Sequence, residues 1–324
     1  MFTSKDIECR AIFVINCIEN RNLRVSNGEL LLEEECAESK KTLTKLPFQK
    51  ILALFVIGHI KITTPLIDKC QRFNVALVVM KPNLRPVFFW TNAAEANYLL
   101  RKKQHNFSKD DLSVAKALVE CKVLNQKRLL EKTRLKDDLT LQALKVCNHA
   151  LFKIDGTDDY NALMGIEGLV SKVFFEAYFQ KNNWIMRRPR SKSDAINTTL
   201  DIGYTILFNY VEVFARMFGF DLYVGVYHRL WFKRKSLICD LIEPFRCIID
   251  NTVRNAYNRK QFKKSDFNII KNEYKLKFEK NADYYKVFYD ALIIYKADVF
   301  KFVQQYYRCF MRGTTKNDYP KFLI

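Results

Sequence analysis

The apolar residues of this chain change their spacing near residue 94, and this change limits the fold more than any other feature. Before it lie five segments rich in β-branched and aromatic residues, namely AIFVINC, LRVSNGELLLEEE, KILALFVIGHIKI, VALVVM and PVFFW. Segments of this kind predict β-strands. From about Glu95 the apolar residues recur every three to four positions, as in amphipathic helices. The sequence therefore predicts an α+β fold, with an N-terminal β-rich domain over residues 1–94 and a larger all-α domain over residues 95–324.

Short local signals predict some element boundaries. Asn27-Gly28 separates two apolar runs, and Asn-Gly is the preferred dipeptide of a type I′ hairpin turn. Ser108 followed by Asp111 matches a helix N-terminal capping box. Gly219, after FARMF, is a typical residue to follow a helix C-terminus. We therefore expect a hairpin at Asn27-Gly28, a helix that starts after Ser108 and a helix that ends before Gly219.

The charge of the chain predicts a polyanionic partner. Lys and Arg number 54 against 35 Asp and Glu, which gives a formal net charge of +19 and a pI near 9.5. Residues 95–324 hold 41 of the basic and 26 of the acidic residues, so this part carries +15 of the total. Nucleic acid is the leading candidate, and an anionic membrane surface is the alternative.

No segment predicts a membrane span or a signal peptide. The longest apolar run, Ile51–Ile60, contains Gly58 and His59 and is too short to cross a bilayer. The first ten residues lack the basic start and apolar core of a signal peptide. Nine cysteines without a CxxC pair predict reduced core thiols rather than zinc ligands or disulfides. We therefore expect a cytoplasmic protein with no membrane attachment.

Two basic clusters are candidates for DNA contact. The first lies in MRRPRSK, where a proline predicts an exposed loop, and its members are Arg187, Arg188, Arg190 and Lys192. The second, over residues 254–280, mixes lysines with aromatic residues, a combination that can follow a phosphate backbone and stack on bases. It is equally well explained as a solvated helix face whose aromatic residues lie in the core.

One stretch combines an imidazole with two carboxylates. GVYHRLWFKRKSLICDLIEPFR, residues 225–246, places His228 before a basic and aromatic run and then offers Asp240 and Glu243, three residues apart. Ser236 can cap the helix that carries both carboxylates on one face. The basic run adds Lys233 and Arg234, which can neutralise phosphates. Together these side chains can hold a divalent cation beside a DNA backbone.

A third acidic candidate lies upstream, in LMGIEGLVSKVFFEAYF. Glu167 stands between Gly165 and Gly168, small residues that let another helix or a substrate backbone approach a carboxylate. Each of these residues also has a purely structural explanation. A buried glutamate commonly pairs with an arginine, and Asp240 and Glu243 can favour the first turns of a helix through its dipole.

Four motifs of the chain, taken in order, resemble the Cas1 family of CRISPR-associated integrases. They are Gly-x-Glu-Gly at residues 165–168, Gly-Tyr at 203–204, Gly-x-x-His at 225–228 and Ser-Leu-x-x-Asp-Leu-x-Glu-x-Phe-Arg at 236–246. The resemblance is strongest from about residue 122 to residue 251, where Lys122, Asn125 and Gln126 are also similar to a family helix. It implies that Glu167, His228 and Glu243 are metal ligands and that Asp240 is a further acidic catalytic residue.

The same resemblance implies an activity, a cofactor and partners. The expected reaction is transesterification, in which a 3′-hydroxyl of a short duplex (the prespacer) attacks a phosphodiester of the CRISPR repeat; with water as the nucleophile the site is an endonuclease. The implied cofactor is Mg²⁺ or Mn²⁺, because carboxylates favour the first and an imidazole suits the second. The implied partners are double-stranded DNA, a second copy of the chain in a homodimer, and the small protein Cas2 bridging two dimers.

Two other functions use the same residues. A non-catalytic DNA-binding scaffold would keep the charge and bind DNA equally well in chelator. A general nuclease for branched DNA would use the same site and differ in substrate alone. Pro244, next to Glu243, is expected to break the hydrogen bond to the carbonyl of Asp240 and to kink the helix there.

Overall fold

The computed structural model describes residues 4–17, 20–35, 40–92, 94, 96–108, 110–134, 136–182, 184 and 186–324. Its N-terminal part is rich in strands and its remainder is helical, so the predicted α+β class is confirmed. The elements up to residue 90 are α1 (Ser4–Cys9), β1 (Ala11–Cys17), β2 (Arg21–Ser26), β3 (Glu29–Glu35), β4 (Lys40–Pro47), β5 (Ile51–Gly58), α2 (Thr64–Phe73), β6 (Ala76–Met80) and β7 (Pro86–Trp90).

The strands form two sheets. One has the order β1-β5-β6-β7, in which β1, β5 and β6 are parallel and β7 is antiparallel. The other is an antiparallel sheet of β2, β3 and β4. The turn between β2 and β3 has positive φ at both Asn27 (50°) and Gly28 (79°), as a type I′ turn requires. The hairpin predicted from Asn-Gly is therefore confirmed.

Helices make up most of the chain after β7. They are α3 (Tyr98–His105), α4 (Ser113–Glu131), α5 (Asp138–Asp155), α6 (Tyr160–Phe179), α7 (Ala195–Met217), α8 (Ser236–Ile242), α9 (Arg246–Asn258), α10 (Asn281–Ile294) and α11 (Lys296–Arg312). A hairpin of β8 (Phe267–Ile270) and β9 (Glu273–Leu276) interrupts them. The all-α prediction for this part therefore missed one small antiparallel pair.

Of the two predicted helix boundaries, one is wrong and the other is confirmed. The helix start predicted from Ser108 is wrong: α4 begins at Ser113, because Asp111 Oδ1 accepts the backbone N–H of Ser113 while Ser108 Oγ accepts that of Asp110 in a separate turn. The predicted end of α7 is confirmed, since Gly219 has φ +82° and its N–H bonds to the Arg216 carbonyl.

The parallel strands are buried on both faces. Along β5, Leu52, Phe55 and Ile57 belong to the core shared with the helices, whereas Leu54 and Val56 face the core covered by α2 and the second sheet. Burial on both faces explains why the β5 sequence is continuously apolar rather than alternating. The division at residue 94 stays a prediction, because the sheet and the helices share one continuous core.

Two further observations concern membranes and thiols. In the part of the chain that the structure describes, no helix has the length and apolar character needed to cross a membrane. The eight cysteines in the same ranges are free thiols, and six of them are buried.

Candidate active site

A cleft of about 690 Å³ opens between the helices. Its lining includes Lys122 of α4, Glu167 of α6, Tyr204 of α7, His228 of the loop after α7, Glu243 after α8 and Asp250 of α9. Glu167, His228 and Glu243 were predicted from positions up to 76 residues apart (243 − 167). The fold brings all three to one cleft.

A lysine ammonium lies between the two glutamates. Lys122 Nζ donates a hydrogen bond to Glu167 Oε1 and lies 2.7 Å from Glu243 Oε2. The other oxygen of Glu243 accepts from Arg246 Nε at 3.0 Å. The side chains of Lys122 and Glu243 are 10% and 3% exposed, so little solvent screens these charges. The two carboxylates thus converge on a single cationic group.

The pKa values of this group follow from burial and charge together. Burial alone would raise the pKa of Glu243, but Arg246 and then Lys122 outweigh it and lower the pKa to about 2. Burial would lower the pKa of Lys122, but Glu167 and Glu243 outweigh it and raise that pKa. Lys122 and Glu243 are therefore both charged at neutral pH.

Asp240 fixes the loop that carries His228. Its two carboxylate oxygens accept the backbone N–H groups of Val226 (2.7 Å), Tyr227 (3.1 Å) and His228 (2.8 Å). The His228 ring approaches the same carboxylate, with Nδ1 2.7 Å from Asp240 Oδ1. Because a carboxylate only accepts, Nδ1 carries the proton in this contact, and Nε2 is the ring nitrogen that remains available to a ligand. The fully buried Asp240 therefore orients His228 and has no oxygen facing solvent.

Glycine at position 225 allows this arrangement. A Cβ added there would lie 2.5 Å from Asp240 Oδ2 and 2.9 Å from the Ser236 carbonyl carbon. Any side chain at this position would push the loop away from α8. The glycine of the Gly-x-x-His motif thus lets the loop backbone come close to the Asp240 carboxylate.

Pro244 breaks the helix that was expected to carry both carboxylates. Helix α8 ends at Ile242, a single 3-10 turn spans Glu243–Phe245, and α9 begins at Arg246. The predicted kink is therefore present, and Asn125 Nδ2 donates to the Pro244 carbonyl at 3.0 Å. The predicted cap is wrong, because Ser236 is the first residue of α8 and its hydroxyl donates to the Arg229 carbonyl instead.

Asp250 is a further buried carboxyl group in the lining of the cleft. It accepts a hydrogen bond from the Tyr204 hydroxyl. Burial raises its pKa to about 6, although Tyr204, Arg246 and Lys122 act in the opposite direction. When folding raises the pKa of a carboxyl group, ionisation of that group destabilises the folded protein. The stability is lost as pH rises from the pKa of the group in the unfolded chain, near 4, through its pKa in the folded protein.

We therefore expect Asp250→Asn to stabilise the protein at pH 7 and above. The gain should reach roughly 3 kcal/mol, the equivalent of two pKa units, and should shrink as pH falls from 6 towards 4. Urea unfolding of both proteins across this pH range measures the difference. A variant that is less stable than the wild type at pH 7 would show that the carboxylate is well compensated.

The first basic cluster lies in a loop at the rim of the cleft, and hydrogen bonds fix this loop to α7. Arg187 is 12% exposed and bonds to Asp201 Oδ1 at 2.5 Å and to Asn197 Oδ1 at 2.8 Å. The same two α7 side chains accept the backbone N–H groups of Arg188 and Arg190. Arg187 therefore holds the loop, while the exposed Arg188 and Arg190 present their guanidinium groups to solvent.

The remaining basic candidates differ in their surroundings. Lys192 Nζ lies 3.8 Å from Glu273 on the β8–β9 hairpin. Among the residues that the structure describes, the side chains of Arg188, Arg190, Lys233 and Arg234 form no salt bridge. Of the six basic residues predicted to contact DNA, these four are therefore free to contact phosphates. In the second basic cluster, Phe262 and Phe267 are only 2% and 7% exposed, which favours the interpretation that its aromatic residues lie in the core. The expected helix is wrong for much of this cluster, because α9 ends at Asn258 and the β8–β9 hairpin follows.

Comparison with protein families decides the classification. The model of the family described as CRISPR associated protein Cas1 matches residues 17–290. The chain belongs to the Cas1 family. Among curated relatives, a CRISPR-associated endonuclease Cas1 of Thermodesulfovibrio yellowstonii is 28% identical over 233 residues, covering 68% of this chain and 73% of the relative.

Solved structures share the Cas1 fold over nearly the whole chain. A casposase bound to integration product matches with a TM-score of 0.76 at 18% identity, covering 96% of this chain and 94% of that one. A chain of a Cas6-RT-Cas1–Cas2 complex matches with a TM-score of 0.75 at 18% identity, covering 97% of this chain and 36% of that one. At this identity the likeness establishes the fold.

Membership of the Cas1 family raises the question of whether the cleft suits a divalent cation. Among the described residues, no group of three or more His, Cys, Asp and Glu side chains is already arranged around one point. The reason is Lys122, whose ammonium lies where the two carboxylates converge. The donor types still fit, since two carboxylates and an oriented imidazole line one cleft, and the two carboxylates already hold a positive charge between them.

The sequence interpretation missed what three residues of this Cas1 chain do. Lys122 was noted only for its likeness to a family helix, although it is a lysine within the buried face of α4. Tyr227 donates from its hydroxyl to Glu167 Oε2 at 2.8 Å, and Arg246 pairs with Glu243. A lysine among apolar residues at helical spacing was the one signal available for Lys122.

Proposed function

We propose that this Cas1 protein is the integrase of CRISPR adaptation, a divalent-metal-dependent DNA endonuclease that joins prespacer 3′-hydroxyl ends to the CRISPR repeat by transesterification. The observation that carries the proposal is the convergence of Glu167, His228 and Glu243 in one cleft. Arg190, which lines the cleft, and its exposed neighbour Arg188 offer positive charge to a DNA backbone. The relatives named as endonucleases support the same chemistry.

The proposed catalytic residues divide into ligands and supports. Glu167, His228 and Glu243 would hold Mg²⁺ or Mn²⁺, which supplies polarisation of the scissile phosphate and stabilises charge on the attacking and leaving oxygens. Asp240 keeps His228 in one tautomer and orientation. Tyr227 fixes the second oxygen of Glu167. Lys122 neutralises the carboxylates in the absence of a metal and stays in the cleft as a cation near the phosphate.

DNA binding is assigned to the rim. Arg188, Arg190, Lys233 and Arg234 would neutralise phosphates on either side of the reacting bond, and Arg187 would hold the loop that presents the first two. Lys192 stays a predicted contact, available once it leaves Glu273. The described residues carry no recognition helix with a set of base-reading side chains, so we expect little base-specific readout by this cleft.

The partners follow from the reaction. Joining two ends of one duplex at a fixed separation needs two active sites, and we therefore propose a homodimer. A solved Cas6-RT-Cas1–Cas2 complex contains a chain of the same fold, which supports Cas2 as the partner that bridges two dimers. The proposed substrates are double-stranded prespacer and repeat DNA, and the proposed location is the cytoplasm, where the repeat is accessible.

Strand transfer tests the proposal. A labelled short duplex is incubated with a plasmid that carries the CRISPR repeat, with purified protein, Cas2, and Mg²⁺, Mn²⁺ or chelator. We expect joined product with either metal and none in chelator. DNA binding without joining or cutting under any metal would instead identify a scaffold. Cutting of branched DNA without joining would identify a nuclease for branched intermediates.

A further inference from the structure

Three consecutive apolar residues are exposed at the tip of the loop between His228 and α8. Leu230, Trp231 and Phe232 are 56%, 76% and 83% exposed. Large apolar side chains that stand together in solvent commonly mark an interaction site. The chain makes a turn here, in which the Trp231 carbonyl accepts the N–H of Arg234 at 3.0 Å. The three side chains therefore stand at the tip of a turn rather than in the core of the described chain.

The tip is exposed but its base is fixed. Asp240 holds the start of the loop through the backbone N–H of His228. Lys235 holds the end, since its Nζ lies 2.6 and 2.7 Å from the two oxygens of the buried Glu212. The buried Ser236 hydroxyl joins the two ends by donating to the Arg229 carbonyl at 3.1 Å. The fold thus presents the aromatic tip on a supported loop rather than on a loose one.

The loop is also connected to the candidate active site through a cation–ring contact and a pair of tilted rings. The Arg229 guanidinium lies over the Tyr160 ring at 4.5 Å, and that ring packs against Tyr227 with centroids 5.8 Å apart. Tyr227 in turn bonds to Glu167. Trp231 lies three positions after His228, so their Cα atoms are at most about 11 Å apart. At a rise of about 3.4 Å per nucleotide, this is roughly three nucleotides from the reacting phosphate.

The positive charge around the tip indicates which kind of partner the tip binds. Lys233 Nζ lies 5.0 Å from the centre of the Phe232 ring, and neither Lys233 nor Arg234 pairs with a carboxylate among the described residues. The Nε of Arg234 is buried and has no hydrogen-bond partner. Exposed aromatic rings beside free cations are the combination that stacks on bases and neutralises the neighbouring phosphates of a single strand.

We propose that Trp231 and Phe232 form a stacking platform for unpaired nucleotides at the end of the DNA that enters the cleft. The base faces inside a duplex are covered by their neighbours, so a side chain at a loop tip can stack only on a terminal or unpaired base. The tip has no amide or carboxylate to read base edges, and the platform accepts any base. This inference rests on the proposed function, because it assigns a substrate feature to the same cleft.

Binding in chelator tests the platform without any catalytic step. Fluorescence anisotropy compares a blunt duplex, the same duplex with 3′ single-stranded ends, and a single strand. We expect the double variant Trp231→Ala, Phe232→Ala to lose about tenfold or more in affinity for the two DNAs with unpaired ends. Its affinity for the blunt duplex should stay within about twofold. Phe152→Ala is the matched control, since Phe152 is 82% exposed on α5.

A conservative variant gives an independent signal. Trp231→Phe should keep the affinity for unpaired ends but lose most of the quenching of tryptophan fluorescence that they cause. Equal affinity of the wild type and the double variant for unpaired ends would overturn the proposal, and so would an equal loss on the blunt duplex. A double variant that binds all three DNAs normally but no longer forms dimers or binds Cas2 would identify a protein interface instead. Absence of strand joining leaves these binding results unaffected, so the two proposals fail separately.

Discussion

His228→Ala abolishes metal-dependent strand joining if the proposed mechanism is correct, with a loss of at least about a thousandfold. Loss of several kcal/mol of transition-state stabilisation corresponds to a rate change of this size. The fold should survive, because His228 is partly exposed and its ring supplies one of the four groups that Asp240 accepts. DNA affinity should fall little, since the proposed phosphate contacts come from other residues.

His105→Ala is the matched control for this variant. His105 Nε2 lies 3.2 Å from Asp221 Oδ2, so it also pairs a histidine with a carboxylate, but outside the cleft. Gel assays of joining and calorimetric melting are measured on both variants. Joining by His228→Ala at a rate near that of the wild type would remove the histidine from the mechanism. Unfolding of His228→Ala would show that the loop network is structural.

Lys122→Met should destabilise the metal-free protein by about 3 kcal/mol. Removing one partner of a buried ion pair leaves the other charge without compensation, which costs about 3–5 kcal/mol. The lower end applies because Arg246 still contacts Glu243 and Glu167 is partly exposed. Methionine keeps the volume of the side chain, so the effect reports charge rather than packing.

The same variant should respond more strongly to metal. With the ammonium gone, the cation that Glu167 and Glu243 share is lost and only Glu243 keeps a cationic partner, Arg246. Mn²⁺ should therefore raise the melting temperature of Lys122→Met by more than that of the wild type. Lys127→Met on the same helix is the control, because its partly exposed pair with Glu131, four residues on, is worth about 0.5 kcal/mol. Equal stability and an equal metal response of Lys122→Met and the wild type would contradict the role given to Lys122.

The fold could be predicted where one strong pattern determined it. Segments such as VALVVM became parallel strands, and Asn27-Gly28 became the hairpin turn, because burial and turn geometry act locally there. Strand β4 was missed because most of KKTLTKLP is exposed and offers no apolar alternation. The β8–β9 turn was missed because Lys271 and Asn272 adopt positive φ without a glycine.

The sequence predicted which residues would form the candidate site, but not how those residues contact one another. The family resemblance of the motifs predicted Glu167, His228 and Glu243 as ligands, but it could not show that Lys122 lies between two of them. Nor could it show that Asp240 directs both oxygens to the His228 loop rather than to the cleft. Such contacts depend on how α4, α6 and α8 pack together, which no local pattern specifies.

An anomalous-scattering map of crystals grown with Mn²⁺ tests the proposed metal site most directly. We expect one strong peak per chain, in contact with carboxylate oxygens of Glu167 and Glu243 and with His228 Nε2, and with the Lys122 ammonium moved from its place between the glutamates. A map with no peak in the cleft at saturating Mn²⁺, and with the Lys122 ammonium still in contact with both glutamates, would contradict the proposed site.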